Sequence, residues 1–418
     1  MIKQVQNKPC QGTIVVPPSK SDSQRALLAA ALDKGETVLV GVGESADETA
    51  MMLTIEQLGA VVVREGENRC IVHGIQQFPE AATLNAGESG LGVRLITSMC
   101  VAHKGCFHIN GEGSLLERPQ GFFEDHLTQL GVKVRSSGAR LPLEVCGPMH
   151  GGKLEIDGSV SSQFLSGLLM ALPLIQSDTE LVVNNLKSIP YVRMTLDTLA
   201  RFGVSITQTN FERFLIPGNQ KYQCEAYRIE SDWSSASYWL VAAALGQNIT
   251  IHGLAMESYQ ADKVLLEALV GANCVVSQDE HGIRIDGNYR TAFSFDATHC
   301  PDLFPALTTL AAFCDGDSYI YGLHRLKSKE SDRGLALEME FEKLGLGITR
   351  EEENDVLIVH GGVLLTSAKV DAHNDHRIAM CLGIAGLFID GGVEVSGAEA
   401  VAKSYPQFWE DLERLQSE

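Results

Sequence analysis

Hydrophobic and polar positions follow two alternating periodicities along this chain of 418 residues. Five times, an apolar segment with helical spacing ends at a glycine and is followed by a β-branched run of strand character. Such a glycine fits the position just after a helix, where a left-handed backbone ends the helix without a side-chain penalty. The glycines recur about 70 residues apart, at Gly59, Gly131, Gly203, Gly271 and Gly345. This spacing predicts six α/β units in two sets of three, with a boundary near residues 225–235.

A second set of segments is apolar on nearly every face. Each begins with small hydroxyl or acidic residues, which cap the unpaired N–H groups of a first helical turn. The segments read SKSDSQRALLAAALDKG, SGLGVRLITSMC, SVSSQFLSGLLMALPL, SDWSSASYWLVAAAL and NDHRIAMCLGIAGLF. A helix without a polar face must be covered on all sides, so we expect these helices inside the fold and the strands outside them. Their N-termini can bind anions.

Composition and charge narrow the class of protein. The chain has 33 Lys and Arg residues against 53 Asp and Glu residues, a net charge of −20, which argues against general binding to nucleic acid or anionic membranes. We expect a cytoplasmic protein, because the sequence shows neither a long apolar run nor a signal-like start. The ten cysteines are scattered without a CxxC pair. They predict buried, reduced thiols and neither a disulfide framework nor a zinc ribbon.

Lysine and arginine residues recur at the predicted helix starts. In PPSKSDSQRALL, Lys20 precedes the helix, Ser21 is the predicted cap and Arg25 lies one turn inside. The helix dipole disfavours a cation there by about 0.3–1 kcal/mol, so the arrangement favours a bound anion, although each segment alone could be a solvated helix end. The arrangement recurs at Arg94, at Arg118 before Pro119 as first helical residue, at Lys329 with Arg333, at Arg377 and at Lys403. Together these cations would suit a small ligand with phosphate and carboxylate groups.

Seven short motifs, in order over nearly the whole chain, resemble those of the 5-enolpyruvylshikimate-3-phosphate synthase family. They are PPSKSDSQRALL, ERPQG, DGSVSSQF, SDWSSASYWLVAAA, KESDR, NDHRIAM and AKSYP. The resemblance implies a two-domain inside-out α/β barrel of six βαβαββ-type units with buried helices, and an active site in the interdomain cleft. It places the N-terminal strand with the C-terminal half. We therefore expect a discontinuous domain, 1–18 with 232–418, and a second domain, 19–231.

The resemblance also implies a reaction: transfer of the enolpyruvyl group of phosphoenolpyruvate to the 5-hydroxyl of shikimate 3-phosphate, by addition and elimination, with no metal or organic cofactor. This chemistry needs an acid, a base and cations for two phosphates and two carboxylates. The implied catalytic residues are Asp302, Glu330 and Lys20. The residues implied for phosphoenolpyruvate are Lys20, Gly90, Arg118, Gln163, Arg333, Arg377 and Lys403. Those implied for shikimate 3-phosphate are Ser21, Arg25, Ser161, Ser162, Gln163, Ser188, Tyr191, Asp302 and Lys329.

The chain departs from the family pattern at two places. Aligned on Arg94, it has Glu-Ser-Gly-Leu at 88–91 where the family commonly has Asn-Ala-Gly-Thr, and Arg325 stands where an Asn commonly contacts the shikimate phosphate. Two other functions stay open: a UDP-N-acetylglucosamine enolpyruvyl transferase, and a catalytically silent anion-binding protein of the same fold. Asp302 and Glu330 disfavour the silent protein, because buried carboxylates weaken anion binding. We expect small-molecule substrates only, no nucleic acid or membrane partner, and a monomer.

Overall fold

In the computed structural model, which describes residues 1–66, 68–327 and 329–417, the chain divides into two compact units. The inserted unit is Pro18–Glu230, and the split unit combines Met1–Pro17 with Ser231–Glu418. The chain therefore leaves the split unit after Pro17 and returns to it at Ser231. Among the described residues, no helix is both long and apolar enough to cross a membrane.

The described residues form 23 strands, of which the third to the fourteenth belong to the inserted unit and the others to the split unit. In chain order the strands are β1 (Ile2–Val5), β2 (Gln11–Val15), β3 (Glu36–Val40), β4 (Val61–Arg64), β5 (Arg69–His73), β6 (Ala81–Asn85), β7 (Gly105–Asn110), β8 (Lys133–Ser136), β9 (Leu143–Gly147), β10 (Lys153–Asp157), β11 (Thr179–Asn184), β12 (Thr207–Thr209), β13 (Arg213–Ile216), β14 (Ala226–Arg228), β15 (Asn248–His252), β16 (Val275–Asp279), β17 (Gly282–Asp286), β18 (Ser294–Asp296), β19 (Asp317–Tyr321), β20 (Gly347–Glu351), β21 (Val356–His360), β22 (Ala368–Asp371) and β23 (Val393–Ser396).

The helices alternate with these strands. They are α1 (Lys20–Leu32), α2 (Ala46–Gln57), α3 (Gly90–Val101), α4 (Phe122–His126), α5 (Ser162–Ala171), α6 (Ile189–Arg201), α7 (Trp233–Ala244), α8 (Leu265–Gly271), α9 (Phe304–Ala312), α10 (Arg333–Lys343), α11 (His376–Gly386) and α12 (Phe408–Ser417).

The strands of the described residues form six small sheets, three in each unit. The inserted unit has the orders β10-β11-β13-β12, β6-β7-β9-β8 and β14-β3-β5-β4, and the split unit has β18-β19-β21-β20, β16-β17-β15-β2 and β1-β23-β22. Each four-stranded sheet contains one parallel pair and two antiparallel pairs. In the first, β10-α5-β11-α6-β12-β13 is a complete βαβαββ unit, with Leu154 opposite Leu181. β14 and β2 complete their sheets from distant parts of the chain.

The apolar helices form the cores of both units. Every residue of α3, α7, α9 and α11 is buried, as is α1 from Asp22 onward. Strands alternate between buried and exposed side chains, as in Lys153–Asp157, which fits a sheet with one face on a core and the other in solvent. The predicted α/β class with buried helices is confirmed.

Four of the five predicted helix-stop glycines adopt a left-handed backbone. Their φ angles are +106° at Gly59, +82° at Gly131, +77° at Gly203 and +87° at Gly345. The prediction is wrong at position 271, where the glycine is the last residue of α8 and the left-handed residue is Asn273, with φ +65°. Asparagine tolerates this conformation because its short polar side chain bonds locally.

Two predicted helix starts are also wrong. Ser19 caps α1 by accepting a hydrogen bond from the Asp22 backbone, so Ser21 is already helical. The two prolines at 17 and 18 keep the chain extended only up to Ser19. After Arg118, Pro119 does not start a helix, because α4 begins at Phe122.

The cysteines depart from the sequence prediction at one pair. Cys106 and Cys146 form a disulfide across neighbouring strands, where they lie directly opposite each other in the β7–β9 register. Their Cα atoms are 4.1 Å apart. Forty residues separate the two along the chain, so sequence spacing could not reveal this pairing. The other eight cysteines are free, and all but Cys224 are buried.

Candidate functional site

Three helix starts meet at Arg25 in the inserted unit. Its Nε donates to Thr195 Oγ1 at 2.8 Å on α6, and its Nη1 donates to the Ser21 carbonyl at 2.7 Å on α1. Its Nη2 lies 3.3 Å from both Ser166 Oγ on α5 and the Tyr191 carbonyl on α6. Arg25 is only 1% exposed. The guanidinium therefore links the first turn of α1 to the N-terminal halves of α5 and α6.

The charge of Arg25 persists despite its burial. Burial lowers the pKa of Arg25 to about 10, while the nearby Asp22 carboxylate opposes that shift. Burial likewise raises the pKa of Asp22 to about 6, although Asp22 accepts hydrogen bonds from the Tyr227 hydroxyl at 2.7 Å and the Glu230 backbone at 3.1 Å. Both groups are therefore charged at neutral pH, and they balance each other.

The other residues predicted to contact shikimate 3-phosphate lie at the same helix starts. Ser161 caps α5 and accepts a hydrogen bond from the Gln163 backbone at 3.3 Å, while Ser162 is the first helical residue and is buried. Ser188 precedes α6 in a left-handed conformation with φ +54°. Tyr191, in the first turn of α6, contacts Arg25 through its carbonyl. These side chains thus belong to one cluster of helix starts.

The start of α3 brings two further predicted residues together. Gly90 is its first residue, and a methyl group added there would lie 2.5 Å from Arg118 Nη1. The absence of a side chain at Gly90 is what allows the Arg118 guanidinium to come so close. Gln163 accepts a hydrogen bond from Arg94 Nη1, and the Arg94 guanidinium carbon lies 4.6 Å from the centre of the Phe164 ring. Arg94 therefore orients Gln163.

Lys20 has an acidic neighbour that the sequence did not reveal. Its Nζ lies 3.1 Å from Asp47 Oδ2, and both side chains are largely buried. Asp47 occupies the first turn of α2, just after Ser45, which forms a capping box with Glu48. The sequence gives the capping signal, but nothing in it indicates that this helix start approaches α1.

Asp302 lies at the centre of the predicted residues of the split unit. Its Oδ1 accepts hydrogen bonds from Lys329 Nζ at 3.1 Å and Arg333 Nη1 at 2.6 Å, and its Oδ2 accepts from Arg377 Nη2 at 3.1 Å. Burial alone would raise the pKa of Asp302, but Arg377, Lys329 and Arg333 together hold it well below its usual range. Asp302 is therefore ionised, and both its oxygens accept hydrogen bonds.

Arg333 is completely buried and bonds to three carboxylates. It bonds to Asp375 at 2.7 Å through Nε and at 3.2 Å through Nη2, and to Glu330 Oε2 at 2.7 Å. Burial would lower the pKa of Arg333, but Asp375, Glu330 and Asp302 raise it above its usual value. Asp375 also caps α11 and accepts the Arg377 backbone N–H at 2.9 Å. The sequence places Asp375 at this helix start without indicating that it orients Arg333.

Two other cations border this cluster. Lys403 donates from Nζ to the Asn374 carbonyl at 2.6 Å. It ends the 3-10 helix Ala398–Lys403, so the prediction of Lys403 at a helix start is wrong. Arg325 is largely buried; burial lowers its pKa, and Asp302 opposes that shift. Arg325 therefore lies within the electrostatic field of Asp302.

Asp262 is a buried carboxyl group that the sequence analysis missed. It accepts a hydrogen bond from Ser234 Oγ in the first turn of α7, and its other oxygen has no hydrogen-bond partner. Burial and the charge of Asp302 raise the pKa of Asp262 to about 7, against the opposing effects of Arg377 and the Ser234 hydroxyl. No sequence motif distinguishes Asp262, because its environment arises only when α7 and the residues around Asp302 pack together.

Comparisons with known proteins agree on one family. The family model described as EPSP synthase (3-phosphoshikimate 1-carboxyvinyltransferase) matches residues 5–412. A 3-phosphoshikimate 1-carboxyvinyltransferase of Methanosarcina acetivorans is 39% identical, over 97% of this chain and 95% of that protein. The enzyme of the same name from Clostridium acetobutylicum is 35% identical, over 98% of this chain and 97% of that one. The solved structure of an EPSP synthase from Acinetobacter baumannii superposes with a TM-score of 0.82 at 25% identity, covering 99% of this chain and 98% of that one.

Proposed function

The chain belongs to the EPSP synthase family and transfers the enolpyruvyl group of phosphoenolpyruvate to shikimate 3-phosphate, and we propose that the residues clustered in each unit perform this reaction. The 5-hydroxyl oxygen forms a bond to C2 of phosphoenolpyruvate and loses its proton, while C3 gains one. The tetrahedral adduct then loses a proton from C3 as the C2–O bond to phosphate breaks. The products are 5-enolpyruvylshikimate 3-phosphate and phosphate. The alternative acceptor, UDP-N-acetylglucosamine, is not favoured by the comparisons.

The proposal assigns the acceptor substrate chiefly to the helix starts around Arg25. Shikimate 3-phosphate would contact Ser21, Arg25, Ser161, Ser162, Gln163, Ser188 and Tyr191, together with Asp302 and Lys329. Hydroxyl groups and N–H groups at helix starts suit a phosphate and a carboxylate, because both are strong hydrogen-bond acceptors. The persistent charge of Arg25 supports this assignment.

Phosphoenolpyruvate is assigned to the remaining cations. It would contact Lys20, Gly90, Arg118, Gln163, Arg333, Arg377 and Lys403. Each arginine of this set is buried to more than nine-tenths, so these guanidinium groups are already oriented before substrate binds. A preorganised donor stabilises developing negative charge without having to reorganise during the reaction.

One observation carries the mechanism: Asp302 is held ionised by three cations that are themselves assigned to the substrates. When the negative charges of shikimate 3-phosphate and phosphoenolpyruvate bind beside Lys329, Arg333 and Arg377, they offset the positive charge that lowers the pKa of Asp302. Its basicity then rises, and it can accept the proton of the 5-hydroxyl. This coupling makes Asp302 an effective base only when both substrates are bound.

The proton for C3 comes from a second group in this proposal. Glu330 and Lys20 are the remaining assigned proton carriers. Glu330 is held by Arg333 at 2.7 Å and is 15% exposed, and Lys20 is held by Asp47 at 3.1 Å and is 14% exposed. Both groups therefore combine a fixed position with partial exposure, and the one that protonates C3 can take back the proton that C3 loses in the elimination, so that it is recharged within each turnover.

Phosphate release tests the proposal. Purified protein with phosphoenolpyruvate should release phosphate when shikimate 3-phosphate is added and should release none with UDP-N-acetylglucosamine. Asp302→Asn should lower kcat by about 10²–10⁴-fold, the range of general acid–base catalysis, whereas the control Asp317→Asn should retain wild-type activity because Asp317 is exposed on β19. Full activity in Asp302→Asn would refute the role of Asp302, and release with the nucleotide sugar would refute the acceptor.

The setting of the enzyme is also part of the proposal. We propose a cytoplasmic monomer, since phosphoenolpyruvate is a product of central metabolism and every assigned residue lies on one chain. Sedimentation of the protein at working concentration, with and without both substrates, would test the monomer.

A further inference from the structure

The short loop between β22 and α11 carries two groups of the phosphoenolpyruvate site. Its Asn374 carbonyl accepts the hydrogen bond from Lys403, and its Asp375 carboxylate bonds to Arg333. Two consecutive residues, His373 and Asn374, are left-handed, with φ of +51° and +52°. A left-handed backbone is unfavourable for residues other than glycine, so two in succession require support from the surroundings.

Glu340 supplies this support from inside the fold. It is completely buried on α10, and its Oε2 accepts the Asp371 backbone N–H at 2.8 Å at the start of the loop. Its Oε1 lies 2.7 Å from His373 Nε2, so the imidazole donates to it. Lys343 Nζ bonds to both oxygens, at 2.8 and 2.7 Å. Every oxygen of this buried carboxylate thus has a partner.

One helix holds the loop at both ends. Arg333 and Glu340 are seven residues apart on α10, which places them two turns apart on the same face of the helix. Arg333 holds Asp375 at the end of the loop, while Glu340 holds Asp371 and His373 at its beginning. Asp371 adds a second constraint, because it accepts the His373 backbone N–H at 2.6 Å and the Ser396 hydroxyl at 2.7 Å.

From these contacts we infer that Glu340 and His373 are positioning residues for phosphoenolpyruvate: they fix the loop whose Asn374 carbonyl orients the Lys403 ammonium. The inference rests on the proposed assignment of Lys403 and Arg333 to phosphoenolpyruvate. His373 touches neither cation; its effect passes through the left-handed turn to the next residue. The predicted signature is therefore weaker binding of phosphoenolpyruvate, with unchanged binding of shikimate 3-phosphate.

Two substitutions of His373 separate positioning from simple stability. Asparagine suits a left-handed backbone but is too short to reach Glu340, whereas glutamine places an amide N–H close to where His373 has Nε2. We expect His373→Asn to raise the KM for phosphoenolpyruvate at least about fivefold while the KM for shikimate 3-phosphate changes less than about twofold. In His373→Gln, the KM for phosphoenolpyruvate should lie close to the wild-type value. The matched control is His360→Asn, which breaks an exposed histidine–aspartate contact on β21 of the same unit.

Lys403→Met distinguishes failure of the inference from failure of the assignment. If Lys403→Met leaves the KM for phosphoenolpyruvate unchanged, the assignment of Lys403 is wrong. If Lys403→Met raises that KM but His373→Asn does not, or His373→Asn raises both KM values alike, only the positioning role is overturned. In the double variant that combines His373→Asn with Lys403→Met, the KM for phosphoenolpyruvate should be close to that of Lys403→Met alone, because the cation that the loop orients is gone. If the two substitutions instead raise this KM additively in free energy, the inference is overturned.

Discussion

Asp262 gives the split unit a stability that depends on pH in a calculable way. Burial and the charge of Asp302 raise the pKa of Asp262 from 3.8 to about 7. Because the folded-state pKa lies above the unfolded-state value, the stabilisation is complete below about pH 4 and is lost as the pH rises through about 7. The full effect is about 4 kcal/mol, and roughly 2–3 kcal/mol of it falls between pH 5 and pH 8.

Asp262→Asn removes this titration while keeping an oxygen to accept the Ser234 hydroxyl. The free energy of unfolding of the wild type, minus that of the variant, should therefore fall by roughly 2–3 kcal/mol from pH 5 to pH 8. Asp302 stays ionised from pH 5 to pH 8, because its pKa lies well below its usual range, so the difference reports the titration of Asp262.

Urea unfolding followed by tryptophan fluorescence provides the assay. All three tryptophans, at 233, 239 and 409, are buried in the split unit, so their emission reports the unfolding of that unit. Asp286→Asn, which removes an exposed carboxylate from β17, should show no comparable change with pH. A difference between wild type and Asp262→Asn that stays constant from pH 5 to pH 8 would refute the reasoning.

Three further predictions concern the contacts described above. Gly90→Ala should displace the Arg118 guanidinium, because the new methyl group would lie 2.5 Å from Nη1. The KM for phosphoenolpyruvate should then rise about tenfold in steady-state assays, and an unchanged KM would contradict the close approach. Asp375→Ala should lower the free energy of unfolding by about 1.5–3 kcal/mol in the urea assay, because the buried Arg333 loses one of its three carboxylates and keeps Asp302 and Glu330. A loss below about 0.5 kcal/mol would mean that the pair is unimportant. Thiol labelling of the urea-unfolded protein should modify eight cysteines without reductant and ten after reduction; ten without reductant would argue against the cross-strand disulfide.

Local sequence signals predicted the elements of this fold well. The stop glycines at 59, 131, 203 and 345 and the uniformly apolar helices depend only on backbone conformation and burial, which neighbouring residues determine. The wrong prediction at Gly271 arose because a neighbouring residue can take the same role. Asn273 replaced Gly271 as the left-handed residue, because asparagine is the other residue that tolerates that conformation.

The partners within the site could not be predicted in the same way. Asp47 beside Lys20, Glu340 beside His373, and Asp262 near Asp302 each join residues from different elements. Periodicity carries no information on which helix starts become neighbours. The helix-start pattern nevertheless singled out the cations as candidates, and the family resemblance added Asp302, because both depend on short stretches of sequence.

The discontinuous split unit imposes an order on synthesis. β1 pairs with β23, with Ile2 opposite Ser396, and β2 pairs with β15, so β1 and β2 must wait for partners translated much later. The inserted unit is complete once Glu230 has left the ribosome, and it can fold while the split unit is still being made. Until β15 and β23 have been translated, β1 and β2 have no strands to pair with on the nascent chain. Slow translation of the last third of the message would prolong that exposure and favour aggregation.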